Sequence, residues 1–175
     1  MIYYQDERLT VRDMCEEDAQ SLFDAEKRLR YGDKENRFPM RVRDAEAGKC
    51  IALVAVWDGE PVGYVHVYWE AEKGPFAGTG VPGIEDFGVL ISHRRLGIGS
   101  RLMDAAEGIA AQKCDKVWLA VGLHHWYGPA QRLYAKRGYV PDGTGVWTGS
   151  RTPEVDETVR NDDELNLYLE KELEH

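Results

Sequence analysis

Ile84-Glu85-Asp86-Phe87-Gly88-Val89-Leu90-Ile91-Ser92-His93-Arg94-Arg95-Leu96-Gly97-Ile98-Gly99-Ser100-Arg101-Leu102-Met103 reads as a short apolar strand, an arginine- and glycine-bearing turn, and the start of an amphipathic helix. Glycines at 97 and 99 let the main chain come close to a ligand. Several N–H groups at the helix start, reinforced by its positive end, can point at phosphate oxygens. The stretch has the architecture of an anion cradle, and a pyrophosphate-bearing cofactor fits it.

The segments before it divide cleanly. Arg8-Leu9-Thr10-Val11-Arg12 alternates polar and apolar like a half-buried strand. A helix is predicted next, because Glu16, Glu17 and Asp18 suit a positive helix end while Ala19, Leu22, Phe23 and Glu26 recur at helical spacing. Residues 30–48 are polar and interrupted by Gly32, Pro39 and Gly48, which predicts a second short helix and a loop of the kind that builds substrate pockets. Ile51–Trp57 and Val62–Trp69 are β-branched and aromatic runs around the turn Asp58-Gly59-Glu60-Pro61, an antiparallel hairpin. Lys73–Gly83 holds four glycines and two prolines and reads as a loop.

After the cradle, Leu102, Met103, Ala106, Ile109 and Ala110 line one helix face ending near Lys113. Val117-Trp118-Leu119-Ala120-Val121 is an apolar strand suited to burial on both faces. Ala130, Leu133, Tyr134 and Arg137 share helical spacing up to Gly138, a C-terminal stop. Strands around Val146-Trp147 and Leu165–Leu169 close the sheet. The order predicts an α/β fold with a mixed twisted sheet of about six to seven strands flanked by about four helices.

Composition narrows the function classes. At 175 residues, 43% hydrophobic and 30% charged, the chain suits one globular domain, expected over residues 1–172, with Leu173-Glu174-His175 read as an expression-tag remnant. No apolar run approaches the ~20 residues that span a bilayer, and Met1–Glu7 lacks a basic start and apolar block, so no membrane association and a cytoplasmic location are expected. Cys15, Cys50 and Cys114 are too scattered for a disulfide framework or a zinc knuckle and are expected to be reduced. A net charge of −9 disfavours nucleic acid and mildly favours cationic small molecules or peptides.

Two phosphate-binding motifs fail on the residues. A dinucleotide fingerprint needs its third glycine where Leu102 stands, and an NTPase loop needs Lys followed by Ser or Thr where Ser100 and Arg101 stand. Arg94-Arg95-Leu96-Gly97-Ile98-Gly99 instead resembles the acetyl-CoA motif Gln/Arg-x-x-Gly-x-Gly/Ala of the GNAT superfamily of N-acetyltransferases. Ile84-Glu85-Asp86-Phe87 is similar to the fourth strand of its diamine-type members. Gln131-Arg132-Leu133-Tyr134-Ala135-Lys136-Arg137-Gly138-Tyr139 resembles the family's Leu-Tyr-x-x-x-Gly-Phe signature. The resemblance covers residues 8–140.

The resemblance implies acetyl-CoA as co-substrate and no metal. Pantetheine would pair with the backbone of Phe87, Gly88 and Val89, and the pyrophosphate would sit on amides from Arg95 through Leu96, Gly97, Ile98 and Gly99 to Ser100, with Arg94 and Arg95 adding positive charge. Acyl transfer to an amine needs a neutral amine, a polarised carbonyl and a proton for the thiolate. By resemblance Glu85 is the base, directly or through water, with Asp86 taking its place if a bulge exchanges the two faces. Glu85 binding a cationic substrate or pairing with an arginine is the alternative. The Val89 N–H would polarise the carbonyl, and Tyr134 would protonate the thiolate.

Two positions depart from the family pattern: Tyr127 where many members carry Asn, and Arg95 where Gly is usual. His124-His125 and His93 lack metal-ligand spacing and are expected as loop histidines. Trp118, Trp126, Tyr127, Trp147 and Tyr168 are expected mostly in the core. The expected activity is acetyl transfer to a primary amine of a small molecule or a protein, and homodimers are common among such enzymes. A CoA-binding sensor without turnover is the alternative.

Overall fold

The computed structural model describes residues 1–29 and 36–174; Gly32 and His175 lie outside them. The described elements run β1 (Ile2–Gln5), β2 (Leu9–Asp13), α1 (Glu16–Arg28), α2 (Phe38–Glu46), β3 (Cys50–Trp57), β4 (Glu60–Tyr68), β5 (Gly83–Val89), α3 (Ile98–Ala111), β6 (Lys116–Gly122), α4 (Gly128–Lys136), β7 (Val140–Thr148) and β8 (Leu165–Glu172). The α/β class holds. The sheet has eight strands, in the order β1-β2-β3-β4-β5-β6-β8-β7, rather than six to seven. The additional strand is β1, four residues long and pairing antiparallel with β2 through Ile2↔Arg12 and Tyr4↔Val11. A strand that short carries too little periodicity to stand out in sequence.

The described residues form two compact units, Met1–Tyr68 with Glu85–Ile109, and Trp69–Ile84 with Ala110–His175. In the first, β2, β3 and β4 are antiparallel neighbours. The β3–β4 turn is tighter than the four residues expected: Asp58 and Gly59 have φ of 49° and 89°, the two left-handed residues of a type I′ hairpin turn. α1 starts where expected because the Asp18 carboxylate accepts from the Cys15 N–H at 2.9 Å. Burial opposes the Asp18 charge, but Arg12, at 2.6 and 2.8 Å, with Cys15 holds its carboxyl below the ordinary range. The apolar faces of α1 and α2 pack Leu22, Phe38 and Val42 against Ala52, Val54 and Tyr64, with the Phe38 and Tyr64 rings edge to face at 4.8 Å.

In the second unit, Gly83 and Ile84 at the start of β5 pair in parallel with Trp118 and Leu119 of β6. β8 pairs antiparallel with both β6 and β7, so the last strand in sequence is not the last in space. Trp118 stacks on Phe76 at 5.4 Å and packs with Tyr168, and its indole N–H donates to the Val81 carbonyl at 3.0 Å. A Cβ on Gly83 would lie 2.4 Å from the Trp118 ring, so this crossing admits only glycine.

Three local expectations change. β5 ends at Val89, because Ile91–His93 form a 3₁₀ turn. β6 is buried except at Ala120, which is exposed. Trp126 is 71% exposed rather than core, while Trp118 and Tyr168 are buried as expected. Cys15, Cys50 and Cys114 are unbridged, and among the described residues no helix is long and apolar enough to cross a membrane.

Candidate active site

β5 is kinked at its centre. Asp86 has φ of 48°, a left-handed conformation that an L-residue rarely adopts inside a strand, so simple alternation of faces does not pass through Glu85 and Asp86. The Asp86 carboxylate is ion-paired with the Arg41 guanidinium of α2 and lies 3.8 Å from Nε of Arg37. Burial opposes the Arg41 charge; Asp86 first, then Tyr68 and Glu85, more than offset it and raise its pKa. Both neighbouring carboxylates therefore act on the same arginine, and Asp86 is the one seated against it. Glu85 is half-buried.

Beyond the kink, Phe87 and Val89 are half-buried. Gly88 is required by packing: a Cβ there would lie 2.7 Å from both Cζ and the hydroxyl of Tyr64. The turn that follows is built by two left-handed residues, Arg95 (φ 67°) and Gly97 (φ 83°). A Cβ on Gly97 would meet nothing within 4 Å, so its glycine answers to dihedral angle alone. Arg95 occupies a conformation glycine takes freely, which is the physical reason the family usually has glycine there. α3 then begins at Ile98, buried at 1%, so only its main chain can serve a ligand. Gly99 and Ser100 follow in the first turn, which contains no acidic residue. Leu96 is exposed, and Arg94 turns back so that its Nε donates to the Val89 carbonyl at 3.1 Å. A short amide-lined turn, free of side chains at Gly97 and Gly99 and leading into a positive helix end, fits a diphosphate.

On the face of β4 that meets α1 and α2, three polar side chains follow at period two. The Tyr64 hydroxyl donates to Glu26 Oε1 at 2.6 Å, and the Tyr68 hydroxyl donates to Asp44 Oδ2 at 2.7 Å while accepting from Arg41 at 2.6 Å. Between them His66 is fully buried, and among the described residues neither ring nitrogen has a hydrogen-bond partner. Burial pulls its pKa to about 4, with Asp86 opposing and Arg41 and Arg37 assisting, so the ring is neutral at pH 7. His66, Arg37 and Arg41 escaped the sequence reading. The pattern Tyr64-Val65-His66-Val67-Tyr68 was the available signal, since alternation puts all three polar heads on one face.

In the second unit Tyr134 is buried in α4, its ring 5.8 Å from that of Tyr139. Burial raises its hydroxyl pKa, and Tyr127 adds to the rise. Tyr127, the N-cap residue of α4, lies flat on Gly122, where a Cβ would be 2.3 Å from the ring. Its hydroxyl donates to Asp163 Oδ1 at 3.1 Å, and His124 Nε2 lies 2.9 Å from the same oxygen. The His124 and His125 rings are 6.3 Å apart, and among the described residues no group of three His, Cys, Asp or Glu side chains is placed to hold a metal.

The model of the Acetyltransferase (GNAT) family matches residues 11–139, from β2 to the end of α4 and its cap. The chain belongs to this family. An acetyltransferase from Salmonella typhimurium that modifies the N-terminal serine of ribosomal protein L7/L12 is similar in structure (10% identity, TM-score 0.72, covering 99% of this chain and 100% of that one). So are Arabidopsis thaliana Naa50 in complex with the bisubstrate analogue CoA-Ac-MVNAL (16%, 0.65, 95% and 99%) and yncA of Salmonella typhimurium with acetyl-CoA (16%, 0.67, 96% and 95%). At these identities the likeness is one of GNAT fold. No curated protein matches the chain.

Proposed function

We propose that this GNAT protein transfers the acetyl group of acetyl-CoA to a primary amine by direct attack, the acceptor being a small molecule or, as favoured by the neighbours that act on protein N-termini, a peptide amino group. The observation that carries the reading is the turn from Arg95 to Ser100: left-handed residues aim successive amides ahead of α3, whose first turn has no acid to repel a diphosphate. Pantetheine amides would pair with the main chain of Phe87, Gly88 and Val89, and the Val89 N–H would polarise the thioester carbonyl.

Glu85 takes the amine proton, directly or through a water, because Asp86 is occupied by Arg41. Tyr134 gives the departing thiolate a proton. Its burial, which raises the hydroxyl pKa, keeps it protonated at pH 7, as an acid must be before the step. The test is free-thiol release from acetyl-CoA in the presence of polyamines, aminoglycosides, amino acids and short peptides. Tyr134→Phe should lower turnover by about 10²–10⁴-fold while leaving acetyl-CoA affinity unchanged; an unaltered rate removes the acid. Calorimetric binding of acetyl-CoA without turnover on any acceptor would replace catalysis by a sensor.

A further inference from the structure

Tyr134 is 6% exposed, and a buried acid that loses its proton in each catalytic cycle must recover it by some route. Tyr127 stands seven positions earlier, two helical turns away on the same face, and the side chain at 134 leans back towards the helix N-terminus where Tyr127 sits. Tyr127 is also the residue whose charge acts on the Tyr134 hydroxyl. From Tyr127 the hydrogen bonds run outward: its hydroxyl donates to Asp163 Oδ1 at 3.1 Å, and the Asp163 side chain is 54% exposed. His124 Nε2, 2.9 Å from that oxygen, must carry the proton of this contact, since a carboxylate only accepts. Gly122 leaves the space in which the Tyr127 ring is held.

We propose that Tyr127 and Asp163 form the route by which Tyr134 is reprotonated from solvent, with His124 as the positioning residue that fixes the carboxylate. The inference rests on the acid role given to Tyr134 above. In the chemical step the Tyr134 O–H bond breaks as the S–H bond of CoA forms, leaving a phenolate. The phenolate takes the hydroxyl proton of Tyr127. The Tyr127 oxygen takes a proton that the Asp163 carboxylate has collected from water, and the carboxylate is restored. One proton moves at each transfer and the electron pair stays on the oxygen that gave it. Tyr127 thus places an ionisable hydroxyl where many family members have an amide that is not.

First-turnover and steady-state rates separate recharging from chemistry, because Tyr134 is protonated when the first cycle begins. Rapid-mix thiol release is followed with acetyl-CoA and the fastest acceptor of the amine panel. Tyr127→Phe and Asp163→Asn should keep the first turnover at the wild-type rate and lower the steady state about tenfold, producing a burst of one thiol per site. His124→Gln should give a smaller burst of the same kind, and Tyr134→Phe should slow both phases. Asp163 is on the surface, so Asp163→Asn tests the route even where Tyr127→Phe disturbs folding. Unchanged steady-state rates in both variants, or both phases slowed together, overturn the route while leaving acetyl transfer intact. Absence of thiol release by the wild-type protein overturns acetyl transfer itself and this route with it.

Discussion

His66→Phe should flatten the acid side of the stability curve. In the folded protein the His66 ring has a pKa of about 4 against an ordinary 6.5, chiefly because it is buried. As pH falls through about 6.5 the unfolded chain protonates this ring and the folded chain does not, so between about 6.5 and 4 the unfolded state holds the extra proton. Stability from the neutral ring is fully present above 6.5, is lost progressively down to about 4, and changes no further below that. At about 1.4 kcal/mol per pH unit the whole interval amounts to about 3 kcal/mol. Urea unfolding at pH 7 and pH 4.5, with a slope of about 2 kcal/mol/M, should therefore show the wild-type midpoint falling about 1 M further than that of the variant. Carboxylates elsewhere titrate in both proteins and cancel in the comparison. Equal falls in the two midpoints would mean that the ring is solvated or already charged in the fold, and the reasoning from its burial would be wrong.

Arg41→Ala leaves the Asp86 carboxylate with only the more distant Arg37 and should cost about 3 kcal/mol, with Arg41→Ala/Asp86→Ala recovering part of the loss in a double-mutant cycle. Gly88→Ala drives a Cβ into Tyr64, so a destabilisation of about 1–3 kcal/mol is expected by thermal melting. Gly99→Val, whose Cβ would start 3.1 Å from Phe87 Cζ, should reduce acetyl-CoA affinity by more than about tenfold in calorimetry. Intact binding there would detach the diphosphate from the turn.

The cradle could be read from contiguous residues because everything that makes it is local: glycines where φ turns positive, amides exposed by the start of a helix, and a strand running in. α1, α3 and α4 were likewise written in spacing and capping, and the β3–β4 hairpin in its Asp58-Gly59 turn. Family membership followed because two such local signatures recur in order. Strand order was not readable, since period-two alternation says which face of β8 is apolar but not that it slots between β6 and β7. Nor was the choice between Glu85 and Asp86, which turned on a backbone kink and on arginines more than 40 positions earlier. His66 looked like one more residue of an apolar strand until the packing of α1 and α2 buried it. Helical geometry and turn chemistry act over a few bonds, whereas the energy of a buried charge or ring depends on partners that the fold brings from distant parts of the chain.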